Sequence, residues 1–461
     1  MRPAYGAFVK ARAHLPSLPM PAAHLRSAAL CVEGAMFRHG EPVARSLLET
    51  SMSCTPRRPL LFLAMTALWS SSSLVACSDD KEIQPPIDAC PGDQVWVDDR
   101  CEPPETPTPI HAECLAIATS DWTQGQLAVY DITNGVVSTD VVTLYSDTVL
   151  ATWGDQILAL NRFGADTLQA LDPAQGFSTQ WTLALPANSN PATLVVEGDR
   201  AFVALLNSAE VVEIALDAAD DEKLTGRSLS IPTAGEWDGS QADIGELLVH
   251  DGKLFVLNQA IGDDWKCAAD AKAALVAFDL ETLAPAPIFE DDANSLLLST
   301  CNGESMVAIG DNLYIQTVGV YRAWADGEPT NDGGIEVVNL STGTLEAQLV
   351  SEDTVGGRDI SKIGRVEGQD ALWAILPGAE DFNAGDLRII ETDGSVSAPI
   401  LNGYLFDAIV VGDDIIAASQ DAVEPGIHQV HLQDLDSSGV LSTGLAPVSL
   451  ARFSVEAATC F

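Results

Sequence analysis

Short apolar runs alternate with polar turns along most of this chain, from about Cys114 to the C-terminus. The runs are rich in Val, Ile, Leu and Ala, and Gly, Asp and Asn separate them. Long stretches with apolar residues at intervals of three and four, which would indicate amphipathic helices, are missing from this region. The pattern therefore predicts β-strands throughout, joined by tight turns.

Two sequence signals recur along this β-region. The first is a Gly-Asp turn before a strand, as in Gly154-Asp155-Gln-Ile-Leu-Ala-Leu-Asn161. The second is a strand that ends in a polar turn, as in Val129-Tyr-Asp131-Ile-Thr-Asn-Gly135. Copies of the first signal begin at Gly154, Gly198, Asp251, Gly310, Gly368 and Gly412, and copies of the second begin at Val129, Ala170, Ala215, Ala277, Val337, Ile389 and Val430. The second signal recurs every roughly 40 to 60 residues, which is the repeat length of a β-propeller blade.

This repeat resembles the seven-bladed propellers related to the amine dehydrogenase β-chain and to surface-layer proteins. Their unit runs Gly-Asp/Asn, then Leu-Tyr-Val-Ala-Asn, then Val-Xaa-Val-Ile-Asp-Xaa-Xaa-Thr-Gly. The resemblance covers about residues 114–460, with insertions from the fourth repeat onward. It implies an all-β fold, a seven-bladed β-propeller, and it supports that fold far more than any activity.

The two ends of the β-region are expected to close the ring together. The first repeat has only the inner part of a blade before Val129, and residues 447–460 add one more strand run, residues 448–455. We expect the N- and C-terminal strands to pair. Cys460 would then lie beside Cys114 and form a disulfide with it.

An export signal precedes the β-region. Arg57 and Arg58 form a positive segment, and residues 59–69 form an apolar stretch that is too short to span a bilayer as a stable helix. Leu74-Val75-Ala76-Cys77 follows and resembles the bacterial lipobox, in which small residues precede an invariant cysteine. The resemblance implies cleavage before Cys77, diacylglycerol on its thiol and acylation of its freed amine. The alternative is an ordinary secretory signal that contains a cysteine.

The lipid anchor predicts a protein of the bacterial cell envelope, held by several acyl chains at the outer membrane. Residues 1–51 do not fit before a signal peptide, because a long arginine-bearing preface is not a normal n-region. We expect translation to start at Met52, or the preface to be removed with the signal. The predicted segments are a preface (1–51), a lipoprotein signal peptide (52–76), a Pro- and acid-rich tether (77–113) and the propeller (114–461).

Six cysteines remain in the predicted mature chain after Cys77, and an even number in an exported protein implies disulfides. Many pairings are open, and the layout of the chain favours one of them. Cys90 and Cys101 would close a small hairpin within the extended tether. The other two predicted pairs are Cys114–Cys460 and Cys267–Cys301, the latter because its two loops would be neighbours in a propeller.

The charge of the chain excludes one class of partner. Its formal net charge is −43, and residues 77–461 hold 15 basic and 63 acidic residues. Such a surface repels phosphate backbones, so no nucleic-acid partner is predicted. Solubility explains most of the acidity, and weak calcium binding is the more specific alternative explanation. Residues 434–439 open like an EF-hand loop, but Leu445 stands where the bidentate Glu should be, so we predict a surface turn and no metal site or cofactor.

The long insertions of the sequence point to a binding face. In a propeller, loops between the second and third strands share one face with the loops between blades. The insertions 232–243, 259–274, 292–305, 317–334 and 351–362 all fall at such points. The candidate recognition residues are Trp237, Trp265, Lys266, Tyr321, Arg322, Trp324 and Arg358. Alternatively, each tryptophan folds back to pin its own loop.

A monomeric binding or scaffold module for a protein or glycan partner is the favoured function, because no catalytic motif stands out. The alternative is a propeller enzyme with its site in the central channel, either a calcium-dependent lactonase-like hydrolase or a quinoprotein. The Trp-rich repeat signature of quinoproteins is absent from the sequence. A lactonase would need Glu, Asn and Asp side chains around a channel calcium. Asn161, Asn207 and Asn258 recur once per blade, but turn capping explains them as well.

Overall fold

The computed structural model describes residues 95–97, 100–102, 111–231, 243–262, 266–268, 270–322, 325, 330–378 and 384–461. The predicted signal peptide and Cys77 lie outside these residues. In the tether, β1 (Val95–Val97) and β2 (Arg100–Glu102) form an antiparallel hairpin. Cys90 is not among the described residues, so the Cys90–Cys101 disulfide stays a prediction. Within the described ranges, no helix is long and apolar enough to cross a membrane.

The rest of the described chain is all-β and forms the seven blades of a β-propeller, as the repeat predicted. Blade 1 contains, from the centre outward, β31 (Ala446–Val455), β3 (Ala112–Ser120), β4 (Gly125–Asp131) and β5 (Val136–Leu144). Blade 2 contains β6 (Thr148–Trp153), β7 (Gln156–Asn161), β8 (Thr167–Asp172) and β9 (Ser178–Ala184). Blade 3 contains β10 (Pro191–Glu197), β11 (Arg200–Leu205), β12 (Glu210–Ala215) and β13 (Leu224–Ser230).

The remaining blades follow the same order. Blade 4 contains β14 (Ile244–His250), β15 (Lys253–Asn258), β16 (Ala274–Asp279) and β17 (Ser295–Leu297). Blade 5 contains β18 (Gly303–Ile309), β19 (Asn312–Thr317), β20 (Gly334–Asn339), β21 (Thr344–Leu345) and β22 (Val350–Ser351), and the last two both pair with β20. Blade 6 contains β23 (Lys362–Val366), β24 (Ala371–Leu376), β25 (Gly385–Glu391) and β26 (Leu401–Gly403). Blade 7 contains β27 (Leu405–Val411), β28 (Asp414–Ser419), β29 (Gly426–His431) and β30 (Leu441–Ser442).

The two ends of the propeller close the ring in blade 1. Strand β31 pairs antiparallel with β3 along its length, and a disulfide joins Cys114 to Cys460, which confirms both predictions. One detail of the prediction is wrong. The segment before Val129 supplies the second strand of blade 1, β3, and the start of the third, β4, whereas β31 takes the innermost position.

The Gly-Asp signal forms the tight turn between the first and second strands of a blade. In blade 2, Trp153 pairs with Gln156, so Gly154 and Asp155 make a two-residue turn. Gly154 has a φ of 57°, which glycine adopts without steric cost. Glycine recurs in these hairpins because each turn includes a backbone position with positive φ, such as Gly198, Gly252, Gly310, Gly368 and Gly412.

The hydrophobic core lies between neighbouring blades. Leu158 and Leu160 of β7, for example, pack with Val203 and Leu205 of β11 in one buried cluster. Full burial of a side chain of this size stabilises the fold by roughly 1.5–3 kcal/mol. Because the second and third strands are covered on both faces, the innermost strands are left to line the central channel.

Candidate functional site

The loops between second and third strands and the loops between blades share one face of the propeller, because neighbouring strands are antiparallel. We refer to it as the top face. Residues 259–273 and 318–333 are second-to-third loops of blades 4 and 5, and residues 352–361 join blades 5 and 6. These long insertions of the sequence therefore belong to the top face of blades 4 to 6.

Five polar side chains lie near the top ends of five consecutive innermost strands. This channel-mouth cluster consists of Thr193, Glu246, Glu304, Lys362 and Asp407, one each from β10, β14, β18, β23 and β27. Lys362 Nζ lies 2.7 Å from Asp407 Oδ1, and Thr193 Oγ1 donates to Glu246 Oε1 at 3.2 Å. Glu246 in blade 4 also interacts electrostatically with Lys362 in blade 6 and Asp407 in blade 7, neither of which is a neighbouring blade. Electrostatic interactions across the ring indicate that the cluster lies in the channel.

Most residues of this cluster lie where the pairing of the innermost strand is irregular. The pairing of β14, β18 and β27 with their neighbours shifts register at the second or third residue, and so does that of β10. A β-bulge re-aims the side chains around it and is frequent beside functional sites. In β18 the shift falls at Glu304, between Gly303 and Ser305. Four of the five cluster residues therefore lie at or next to a bulge, whereas Lys362 belongs to β23, whose pairing with β24 is regular.

Burial changes the protonation of the cluster. It raises the pKa of Glu304 to about 7, although the Tyr321 hydroxyl and Lys362 oppose that shift. Burial also raises the pKa of Glu246. In Lys362, burial acts to lower the pKa, but the carboxylates of Asp407, Glu246 and Glu304 together outweigh it and the pKa is raised. The Lys362 side chain is 36% exposed, so solvent enters the channel mouth. At neutral pH Glu304 can therefore take up or release a proton.

Tyr321 and Arg322 tie the second-to-third loop of blade 5 to its surroundings. The Tyr321 hydroxyl donates to Glu304 Oε2 at 2.7 Å, and its ring is buried. The Arg322 backbone N–H donates to Asp359 Oδ2 at 2.8 Å, and its guanidinium donates to Gly357 O at 2.9 Å. Both residues were predicted for the binding face. Arg322 holds the loop against the blade 5–6 connection, whereas Tyr321 ties it to the innermost strand of blade 5.

Two buried acids, Glu352 and Asp359, contact the same loop of blade 5. Glu352 Oε2 accepts a hydrogen bond from the Asp332 backbone N–H at 3.1 Å. Burial, followed by the charge of Asp359, raises the pKa of Glu352 to about 8. Burial also raises the pKa of Asp359 to about 6. At pH 7 Glu352 is therefore mostly protonated, while Asp359 is mostly ionised.

A disulfide borders a second part of the site. Cys267 in the second-to-third loop of blade 4 is joined to Cys301 in the loop between blades 4 and 5, as predicted. Beside it lies a cavity of about 370 Å³. The cavity is lined by the two cysteines with Asp270, Lys272, Thr300 and Asp332, among others. The disulfide therefore fixes one wall of a polar hollow on the top face.

The other predicted binding residues divide into three groups. Trp237, Trp265 and Trp324 lie outside the described residues, so their shared face stays a prediction. Lys266 is exposed next to the disulfide. Arg358 forms an ion pair with Asp386 and donates to the backbone carbonyls of Leu376 and Pro377, so it serves to join the blade 5–6 connection to blade 6.

Some of the repeated acids and amides cap turns, such as Asn258, which accepts from the Ala260 backbone N–H at 3.1 Å, whereas Asn161 bonds the hydroxyls of Thr148 and Thr167 instead. Asp131 accepts from the Asn134 backbone N–H at 2.9 Å and Asp279 from that of Thr282 at 3.0 Å. Asp434 accepts from the Asp436 backbone N–H at 3.2 Å within a surface turn. Among the residues that the structure describes, no three His, Cys, Asp or Glu side chains converge in a way that could hold a metal ion.

Sequence reasoning missed the members of the channel-mouth cluster. Thr193, Glu246 and Asp407 lay in segments that gave no motif, Glu304 lay in the insertion 292–305 but was not singled out, and Lys362 ended a loop noted only for Arg358. The one available signal was an ionisable residue at the start of an apolar strand, repeated in blades 4 to 7. Unless it is known which strand of each blade lies innermost, that signal cannot be distinguished from ordinary surface charge.

No protein-family model and no curated protein sequence matches the chain. Among solved structures, the periplasmic gluconolactonase PpgL of Pseudomonas aeruginosa is 12% identical with a TM-score of 0.52, and the match covers 75% of this chain and 99% of that one. A protein from Lactobacillus plantarum is 14% identical with a TM-score of 0.51, covering 74% and 99%. Apo AztD from Citrobacter koseri is 12% identical with a TM-score of 0.43, covering 75% and 99%. At these identities the likeness shows the propeller fold alone.

Proposed function

We propose that this chain is a monomeric binding module of the bacterial envelope, lipid-anchored through Cys77 at the outer membrane, whose propeller receives a polar group of a protein or glycan ligand at the channel mouth. The observation that carries the proposal is the channel-mouth cluster. It brings three acids and one lysine, from four blades, into one partly enclosed space. The lipobox-like segment at residues 74–77 supports the anchor.

The burial of these acids costs free energy. Burying ionisable groups is unfavourable, and apolar residues of similar volume would often stabilise a fold as well or better. Glu246 and Glu304 are ionisable groups of this kind, since burial raises the pKa of each. Ionisable groups whose protonation is shifted by burial, in a cleft that solvent enters, are typical of functional sites. A ligand that donates hydrogen bonds to these acids would recover the lost solvation.

A ligand screen tests the proposed site. Full-length protein, expressed with its own export signal, is heated at pH 7 with sugars, sugar lactones, amino acids and polyamines. We expect at least one compound to raise the unfolding midpoint of the wild type. Glu304→Gln should abolish that shift, whereas Glu197→Gln, at an exposed hairpin, should retain it. An equal shift in both variants would contradict a site at the channel mouth.

A hydrolase is the second candidate function, and Glu304 is the observation that favours it. A carboxyl with a pKa of about 7, bonded to Tyr321 and close to Lys362, is suited to general acid–base catalysis at neutral pH. Release of acid from a sugar lactone, followed at constant pH, measures such an activity directly. Saturable hydrolysis that Glu304→Gln removes would assign an enzyme. If the carboxylate acts as base, the rate should rise between about pH 6 and 8.

A further inference from the structure

Three aromatic residues lie on the top face of blades 1 and 2. Trp122 belongs to the second-to-third loop of blade 1, Phe163 to that of blade 2, and Tyr145 to the loop between the blades. Tyr145 is 40% exposed and Phe163 36%, while Trp122 is half-buried. We refer to these three residues as the aromatic patch.

Hydrogen bonds hold the three loops together. The Tyr145 hydroxyl donates to Phe163 O at 2.9 Å. The Ser120 hydroxyl donates to Ser146 O at 2.6 Å and accepts from the Trp122 backbone N–H at 2.8 Å. The Phe163 backbone N–H donates to an Asn190 side-chain oxygen at 3.2 Å. The aromatic patch therefore stands on an ordered set of loops.

Two of the aromatic residues have a backbone conformation that bulky side chains rarely adopt. Trp122 has a φ of 71° and Phe163 a φ of 39°, and each is the second residue after the second strand of its blade. The equivalent positions in blades 4 and 5 are Ala260, with φ 55°, and Gly319, with φ 66°. The turn thus works with a small residue, so the fold does not require an aromatic one. Backbone strain of this kind is typical of residues at functional sites.

The surroundings of the patch are acidic. The top-face loops of blades 7, 1 and 2 are residues 121–124, 145–147, 162–166, 185–190, 420–425 and 443–445. They contain five acids, Asp121, Asp147, Asp166, Asp421 and Glu424, and one basic residue, Arg162. Arg162 Nε lies 2.7 Å from Asp147 Oδ1, so its charge is already compensated. An anionic partner would be repelled here, and a cationic one attracted.

We propose that the aromatic patch binds a basic segment of a partner protein. Its Lys or Arg side chains would lie over the exposed rings of Tyr145 and Phe163, beside Trp122, which packs against the core, because aromatic rings attract cations. The neighbouring carboxylates would add the long-range attraction. The patch shares no residue with the channel-mouth cluster, so this inference stands independently of the proposed function.

The test uses a fluorescent dodecapeptide of alternating Gly and Arg, titrated with the full-length protein at about 150 mM salt, where long-range attraction is screened. Fluorescence anisotropy should show saturable binding. A matched peptide with Gln in place of Arg should not bind. Phe163→Gly removes one ring and also relieves the positive φ, so it should fold at least as well as the wild type. It should weaken peptide binding about threefold, and about tenfold together with Tyr145→Ala.

Leu297→Ala, on the outermost strand of blade 4, is the control for an exposed apolar residue, and its affinity should equal that of the wild type. Equal affinity in the wild type and the Phe163→Gly/Tyr145→Ala variant would overturn the proposal, because surface charge alone would then explain binding. Equal binding of the Gln peptide would also overturn it. So would binding of a neutral chitotetraose probe to the patch with no binding of the Arg peptide.

Discussion

One oxygen of the buried Glu352 and two backbone carbonyl oxygens crowd around Gly333. Glu352 Oε1, Thr317 O and Val318 O lie 2.5, 2.5 and 2.6 Å from the point that a Cβ on residue 333 would occupy. Gly333 is required there, because any side chain would overlap these oxygens. Oε1 has no hydrogen-bond partner among the described residues. Burial and the charge of Asp359 disfavour the ionised form of Glu352 and raise its pKa to about 8, so the carboxyl is mostly protonated at neutral pH.

Glu352→Gln should make the protein more resistant to alkaline pH. The folded-state pKa of about 8 lies above the ordinary value of 4.5. The stability that the protonated form contributes is therefore complete below about pH 4.5 and is lost as the pH rises through 8. Glutamine keeps the shape and cannot ionise. Urea unfolding at pH 6 and pH 9 should show a loss for the wild type that is about 1–3 kcal/mol larger than for Glu352→Gln. Identical losses would contradict a protonated Glu352, and Glu197→Gln serves as the control.

Single residues were predictable from sequence where their role is local. Asp131 and Asp279 cap turns through backbone groups three residues away, and a sequence shows such neighbours directly. Glu304 and Glu352 were not predictable. Their protonation depends on burial and on partners from other loops, such as Tyr321 and Asp359, and only the closed ring brings these together.

At the scale of the strand, Gly364 shows how a blade packs beside the channel. Gly364 in β23 is paired directly with Trp373 in β24, and the indole of Trp373 lies over the glycine, where a Cβ would overlap it. Trp373 is 4% exposed. The ring thereby covers a position at which the strand has no side chain of its own.

Gly364→Ala should destabilise blade 6. The added methyl overlaps the Trp373 ring, and overpacking of this kind costs about 1–3 kcal/mol. The midpoint of urea unfolding measures the loss. Gly439→Ala is the matched control, since a Cβ at Gly439 meets no atom within 4 Å. If Gly364→Ala unfolds at the wild-type midpoint, the close packing of Trp373 on this strand is not supported.

The strand pattern also explains why one repeat signal has fewer copies than the other. The Gly-Asp signal marks the hairpin between first and second strands, and it begins six times. The strand-and-turn signal marks the third strand and begins seven times. Blade 1 lacks the hairpin because its first strand, β31, and its second strand, β3, come from opposite ends of the propeller. Short outer strands such as β17 and β21 were not visible in the sequence, because too few alternating positions define them.

For the whole molecule, the closing disulfide should matter more than the one on the top face. Cys114 and Cys460 are 346 residues apart, whereas Cys267 and Cys301 are 34 apart. In the chain-entropy model the longer loop constrains the unfolded state more, by about 2 kcal/mol. Urea unfolding of the two double-alanine variants compares them directly. A larger loss for the Cys267/Cys301 variant would indicate that strand pairing, and not the disulfide, keeps the ring closed.

The attachment of the molecule to a membrane depends on Cys77 in the proposed function. Without the thiol no diacylglycerol can be added, so Cys77→Ala should leave uncleaved or mislocalised protein. Each buried methylene of an acyl chain contributes about 0.8 kcal/mol to membrane binding, so losing all chains should move the protein from the detergent phase to the aqueous phase in Triton X-114 partitioning. Cys54→Ala is the matched control, because Cys54 lies in the predicted signal peptide and should be absent from the mature protein. A Cys77→Ala protein of mature size that still enters the detergent phase would refute the lipid anchor and, with it, the envelope location proposed for the propeller.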